Sequence, residues 1–259
     1  MTTIIACSNN KGGSGKTCCS VTLAHALGNR GKKVLVCDLD TQCNSTSLLL
    51  RQGDNPRNSL YELLSSEADA PSCIYASKYE NVDVLPNVEE VAALEFSLIK
   101  DAERNLTLFR DKISSYIENK YDFVMLDCPP NLGFWTMGAL ITANLVISPT
   151  VSGSGFSLDG LLRTIKLIQD IQQQTNPSLR FFRLLINNVD KRTTMGKVTL
   201  AQLVDKLGQD MIFATTIPAS SQFQQAEHLR ETVLRSNSKS PAAKAYRALA
   251  QEILELVEG

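Results

Sequence analysis

The sequence predicts an α/β fold, with a mostly parallel, twisted sheet flanked by helices on both faces. Short apolar, β-branched runs alternate along the chain with longer stretches of helical period. Several of these runs are apolar at nearly every position, as strands covered on both faces are. The first run meets the first helical stretch through a loop rich in glycine and lysine, Asn10-Lys11-Gly12-Gly13-Ser14-Gly15-Lys16-Thr17. A length of 259 residues with 43% hydrophobic content suits one large domain spanning residues 1–259.

Thr3-Ile4-Ile5-Ala6-Cys7 reads as a buried strand, after which Thr17, Val21, Ala24 and Leu27 recur at helical spacing. Val34-Leu35-Val36-Cys37 is the second strand, and Val82-Asp83-Val84-Leu85-Pro86 is a short extended piece. Residues 88–118 carry a helical period broken near Arg104. Phe123-Val124-Met125-Leu126 reads as a central strand. Leu145-Val146-Ile147, Leu184-Leu185-Ile186 and Met211-Ile212-Phe213 complete the expected strands. Further helices are expected at 158–174 and 195–207, with an amphipathic closing helix after Ala242. Polar stretches at 51–59 and 65–72 are too short to be interdomain linkers.

A net charge of −1 gives no global field that would draw nucleic acid, so any DNA contact requires a local basic patch. The seven cysteines show neither C-x-x-C nor zinc spacing. Cys7, Cys37 and Cys128 fall in or beside apolar strands as core residues, and Cys18 and Cys19 are helical neighbours. Reduced thiols and a cytoplasmic location are expected, without a structural metal. No signal peptide or long apolar span is visible, so a soluble chain is expected. The first strand begins at once, which leaves no room for a helix-turn-helix ahead of it.

A glycine-rich turn that joins a strand to a helix is a phosphate cradle. Its glycines let backbone N–H groups converge on an anion, and the helix dipole adds to the attraction. Gly12, Gly13, Ser14 and Gly15 form the turn; Lys16 would reach the β- and γ-phosphates and the Thr17 hydroxyl would ligate Mg²⁺. Asn10 stands where the common P-loop pattern has its first glycine.

Asp127 ends the apolar run at 123–126 and precedes Cys128-Pro129-Pro130. At the end of a central strand it could hold a Mg²⁺-bound water, or simply cap the next turn. Asp40, in Asp38-Leu39-Asp40-Thr41-Gln42-Cys43-Asn44, would lie on the same rim as Lys16. A carboxylate there can orient the attacking water and touch the metal through water. Asp38 alternates to another face, for structural or outer metal-site work. Asn187, after Leu184-Leu185-Ile186, could read a purine edge or serve a turn. The absence of N-K-x-D favours ATP over GTP.

These segments together resemble the ParA/MinD group of deviant-Walker ATPases. The order K-G-G-x-G-K-T, D-x-D-x-Q-x-N, D-C-P-P is most similar to the ParA partition branch. The resemblance extends to Ile217-Pro218 and to the closing helix with Ala245-Tyr246-Arg247. It implies a homodimer that sandwiches two ATP molecules, with Lys11 reaching the partner's nucleotide, and it adds Cys18 and Pro218 to the nucleotide contacts. It also implies non-specific DNA binding, here through Arg192, Arg230, Arg235, Lys239, Lys244 and Arg247, and a ParB-like adaptor that stimulates slow hydrolysis. The chain departs from the pattern at several places. Thr41 and Cys43 replace Pro and Gly, and Cys18 stands where a second Thr is common. The Val151–Gly155 stretch lacks the usual acidic and aromatic residues, Ala219-Ser220-Ser221-Gln222 lacks arginines, and Glu227 replaces Pro.

A MinD-like, membrane-associated ATPase is the alternative. Against it, the closing helix ends in Glu252, Glu255 and Glu258, which anionic lipid would repel, so no membrane partner is expected. A cluster-bridged ATPase needs paired cysteines on a dimer face, and Cys128 alone lies near the site. A kinase or biosynthetic ligase would need an acceptor pocket that no motif marks.

Overall fold

A computed structural model describes residues 1–151, 158–189 and 203–259 of the chain. Its strands are β1 (Thr3–Cys7), β2 (Val34–Asp38), β3 (Tyr75–Ala76), β4 (Val82–Leu85), β5 (Phe123–Asp127), β6 (Leu145–Val151) and β7 (Arg180–Asn187). They form one sheet in the order β3-β4-β2-β5-β1-β6-β7, parallel throughout except for the β3 edge. The register sets Cys7 and Asp38 on either side of Asp127, so the ends of β1, β2 and β5 share one rim. That rim is where an open α/β sheet binds ligands.

The sheet is covered on both sides. Helix α1 (Lys16–Gly28) packs on one face with the closing helix α12 (Pro241–Glu258). Ser240 caps α12 by accepting from the Ala243 N–H at 3.1 Å, and Pro241 follows in the first turn. Its buried stripe, Tyr246, Leu249, Ala250 and Ile253, joins Val21, Leu23 and Leu27 of α1 in one core cluster. Each such fully buried leucine or isoleucine contributes roughly 1.5–3 kcal/mol. On the opposite face α7 (Leu108–Ile117), α8 (Phe134–Thr142) and α9 (Leu158–Gln174) supply Phe109, Ile113, Leu140 and Ile168.

The strand expected at 211–213 is absent. A 3-10 turn spans Gln209–Met211, and Ile212 makes a single bridge to Leu184. The backbone N–H groups of Ala214 and Thr215 donate to the Glu252 carboxylate at 2.7 and 2.9 Å, which removes donors a longer ladder would use. The helical stretch at 88–118 is three helices, α5 (Val91–Ile99), α6 (Ala102–Asn105) and α7, with breaks before and after Arg104's short helix. Of the helix expected at 195–207, residues 203–207 are helical and the rest lie outside the described residues. The two-residue edge strand β3 carries no periodic signal.

Candidate nucleotide site

The loop after β1 turns on Gly13 (φ 69°) and Gly15 (φ 89°), left-handed conformations that favour glycine. A methyl group added at Gly12 or Gly13 would meet nothing within 4 Å, so the concave side is open. At Gly15 it would lie 2.6 Å from Asn187 Nδ2. That amide donates to the Ser14 carbonyl at 2.8 Å, so Asn187 braces the loop from the end of β7. Helix α1 then starts at Lys16 with no side-chain cap, leaving its first N–H groups directed at the cradle.

Lys16 is only 6% exposed, and its Nζ donates to the Lys11 carbonyl at 3.1 Å. Burial lowers its pKa, with Asp127 opposing that shift. Among the described residues, the Ser14 Oγ and Asn187 Oδ1 atoms are buried without a partner. An open cradle, uncapped helix donors, a buried ammonium and orphaned polar atoms fit a polyphosphate with its metal.

The acidic side of the site is a dry network. Asp127 accepts from Ser20 Oγ at 3.1 Å and Ser45 Oγ at 2.5 Å, with Thr17 as a further partner. Burial pushes its pKa up to about 6 despite those hydroxyls. Asp38 accepts from the Thr46 N–H at 2.8 Å and the Thr46 hydroxyl at 2.7 Å. Burial, then the neighbouring Asp127 charge, pushes it to about 7. Thr46 Oγ1 also accepts from Asn87 N at 2.9 Å. Asp40 is 8% exposed and sits at the cleft; its turn is fixed by Asp40 N to Asp38 Oδ1 at 3.2 Å and Asn87 Nδ2 to Asp40 O at 3.1 Å.

A cleft of about 490 Å³ runs from Gly12, Lys16 and Thr17 past Cys18, Val21 and Thr22. Helix α2 (Asn44–Leu49) forms one wall, and α10 (Gln222–His228) with α11 (Val233–Ser236) forms the other. The far wall is tied to α1. His25 Nδ1 lies 2.7 Å from Thr232 Oγ1, and the ring stacks on Tyr79 at 4.1 Å. Tyr79 OH in turn accepts from Thr232 N at 3.0 Å. Burial, with Arg235 and Arg247 nearby, holds His25 down at about 4.

Helix α10 ends with Arg230 N donating to the Glu227 carbonyl at 2.9 Å and Glu231 N to the Ala226 carbonyl at 2.8 Å. This ending places Arg230 in the left-handed region at φ 52°, a position usually held by glycine. For an L-residue that conformation costs roughly 1–2 kcal/mol.

The remaining sequence candidates are scattered. Lys11 is exposed on the loop. Cys18 lines the cleft, and Tyr246 OH donates to its Sγ at 3.6 Å. Pro218 bridges Val189 beside β7 and is not among the cleft-lining residues. Of the proposed DNA contacts, Arg230 lines the cleft itself, Arg235 pairs with Glu231 at 3.0 Å, and Lys239 and Lys244 are exposed. The Arg247 carbonyl accepts from Arg30 at 2.6 Å. Arg192 and residues 152–155 lie outside the described residues. Sequence reasoning missed Ser20, Ser45, Thr46 and Asn87. Ser20 lies one helical turn beyond Lys16, so helix phase alone puts both on the sheet side; the other three had no spacing signal.

A buried lysine in a glycine cradle, with a carboxylate at the neighbouring strand end, defines the class as a P-loop nucleoside triphosphatase. The AAA domain family model matches residues 2–181. The sporulation initiation inhibitor protein Soj of Bacillus subtilis is 32% identical over 250 residues, 96% of this chain and 97% of that protein. The chromosome-partitioning ATPase Soj of Treponema pallidum is 30% identical, covering 95% of this chain and 94% of that one. The cell division ATPase MinD of Pyrococcus furiosus superposes with a TM-score of 0.80 at 26% identity, covering 99% of this chain and 100% of that one. Cobyrinic acid a,c-diamide synthase of Mycobacterium smegmatis, with bound ADP and magnesium, gives 0.84 at 28% identity, covering 100% and 96%. The chain belongs to the ParA/MinD family of P-loop partition ATPases.

Proposed function

We propose that this chain is an MgATP-driven positioning ATPase, acting as one domain over residues 1–259, whose ATP-bound homodimer binds DNA without sequence preference. Partner-stimulated hydrolysis then releases it. The observation that carries this is the division of labour between the two loop lysines. Lys16 is buried in its own cradle, whereas Lys11 gives that lysine a backbone carbonyl and stands exposed on the loop. A cation so placed suits a nucleotide held by a second copy, in the manner of an arginine finger.

Backbone donors of Gly12, Gly13, Ser14 and Gly15, with Lys16, Thr17 and Cys18, take the phosphates, and Asn187 and Pro218 flank the base. Mg²⁺ would be held by Thr17, with Asp127 and Asp40 through water; it supplies neutralising charge on the phosphates. Asp40 orients the attacking water from a turn whose backbone is already fixed. Arg192, Arg235, Lys239, Lys244 and Arg247 face DNA phosphates, and a ParB-like adaptor triggers turnover. The work is done in the cytoplasm, on the nucleoid while ATP is bound. The Treponema relative, named a chromosome-partitioning ATPase, supports this direction.

The MinD-like membrane reading is disfavoured by α12. Its apolar stripe is buried in the core, and Glu252, Glu255 and Glu258 mark its last turns. Among the described residues no helix is long and apolar enough to cross a membrane.

The test is retention of the purified chain on random-sequence DNA. Retention should need MgATP and weaken steeply with salt. Nucleotide-independent or salt-insensitive retention would overturn the proposal. Lys11→Ala should bind ATP yet stay monomeric on a sizing column, and a surviving ATP-dependent dimer removes the trans role.

A further inference from the structure

We propose that Arg230 is a nucleotide-binding residue, whose guanidinium meets the phosphates of ATP held in the same chain, rather than a DNA contact. The inference rests on the nucleotide reading of the cleft and adds a cation that the loop motif does not contain.

Charge argues first. The cleft is lined by three carboxylates, Asp40, Glu227 and Glu231, against the cations Lys16 and Arg230. MgATP keeps roughly two negative charges of its own. Glu231 is answered by Arg235 outside the cleft lining, at 3.0 Å. Asp40 and Glu227 remain, and the Glu227 charge is felt as far as the Cys18 thiol, whose pKa it helps to raise after burial. With Lys16 alone, the side chains left unpaired on the lining would carry one negative charge more than positive. Arg230 is the second cation on that lining, and a guanidinium can grip phosphate oxygens with paired donors.

Backbone geometry argues independently. The helix ending at Glu227 to Glu231 would take glycine at position 230 without strain, yet it carries arginine at φ 52°. The conformation is held from outside as well, because Lys78 Nζ donates to the Arg230 carbonyl at 2.6 Å and to the Leu50 carbonyl at 3.3 Å. This lysine ties the turn to the segment that follows α2. Among the described residues the Arg230 side chain has no salt-bridge partner, whereas Arg235 on the next turn has one. A strained, externally pinned backbone that presents an uncommitted guanidinium to an anion cleft is organised for a ligand.

The experiment is nucleotide titration of the full-length chain by calorimetry, in Mg²⁺ and without DNA. Arg230→Asn is the clean variant, since asparagine tolerates the left-handed backbone and thermal melting can verify its fold. ATP affinity should fall about tenfold or more, with Arg230→Lys intermediate. Affinity for adenosine should not change, and KM for MgATP should rise in step with the lost ATP affinity. An Arg230→Asn chain that binds ATP within about twofold of wild type overturns the proposal, most sharply if it loses DNA retention. Equal losses for ATP and adenosine also overturn it, by moving the contact to the nucleoside. If the wild-type chain binds no ATP, it is the nucleotide reading itself that fails.

Discussion

The two ends of the cleft are built differently. The loop end is closed around its carboxylates: Asp38 and Asp127 have no exposure, and the Ser20, Ser45 and Thr46 hydroxyls that donate to them are buried on α1 and α2. The far wall at 222–235 carries an exposed, charged stretch around Glu227 to Arg230 and is fastened by His25 to Thr232 and Lys78 to Arg230. Chemistry that needs a few placed waters and fixed charges sits in the first; contacts that come and go with ligands suit the second. Hydrogen bonds and charges count for more where the surroundings are dry. The same kind of substitution should therefore have larger effects at the loop end.

The largest effect belongs to Lys16→Ala. ATP turnover should drop at least about a hundredfold, as when an oriented charge is removed from a water-excluded site. A smaller loss in a steady-state phosphate-release assay would erase the distinction between the two ends.

Next comes the buried carboxylate pair, read through pH. Asp127 at about 6 and Asp38 at about 7 lie above the ordinary 3.8 of an unfolded aspartate. The folded chain thus holds more protons between about pH 4 and 7, and these groups withdraw stability as pH rises through that window. His25 acts in the opposite sense. Held at about 4 against an ordinary 6.5, it takes stability away as pH falls from 6.5 toward 4. Asp127→Asn should make the nucleotide-free chain more stable at pH 8, by about 1–3 kcal/mol, and the advantage should fade toward pH 4. Thermal melts across that range would measure it; a pH-independent difference would mean the carboxylate is not strained by burial.

Asn187→Ala tests the brace between β7 and the loop. It leaves the Ser14 carbonyl without its 2.8 Å donor. About 1 kcal/mol of loop order should be lost, seen as a several-fold higher KM for ATP. The smallest effect is expected at the exposed wall. Arg235→Ala should leave ATP affinity intact and reduce the salt dependence of DNA retention by about one phosphate contact.

How much was legible follows the same division. The six strands from 3–7 to 184–186 were visible because buried parallel strands are apolar at nearly every position. The rim was visible because Asp127 follows one such run directly and Asp40 lies two residues past Asp38, which follows another. Ile212 and Phe213 misled for a related reason. They are apolar because they are buried, 1% exposed each, but a carboxylate from α12 takes the nearby backbone donors. Composition cannot separate a buried turn from a buried strand. Thr46 and Asn87 were invisible because their roles depend on the distance between α2 and the end of β4, which no local pattern encodes. The charge of Arg230 can be read from the sequence, whereas the helix ending that sets it on the cleft lining cannot.

Gly15 and Asn187 are 172 positions apart, yet a methyl group at Gly15 would stand 2.6 Å from the Asn187 amide nitrogen. Position 187 also lies beyond the stretch, 2–181, that the family model covers. A chimera that exchanges the last third of this chain for a relative's would replace the brace while leaving the loop sequence intact. Such a hybrid would pass every motif inspection and still hold its phosphates loosely. Grafts of this kind should carry residue 187 with the loop, and any change at position 15 requires a smaller residue at 187 first.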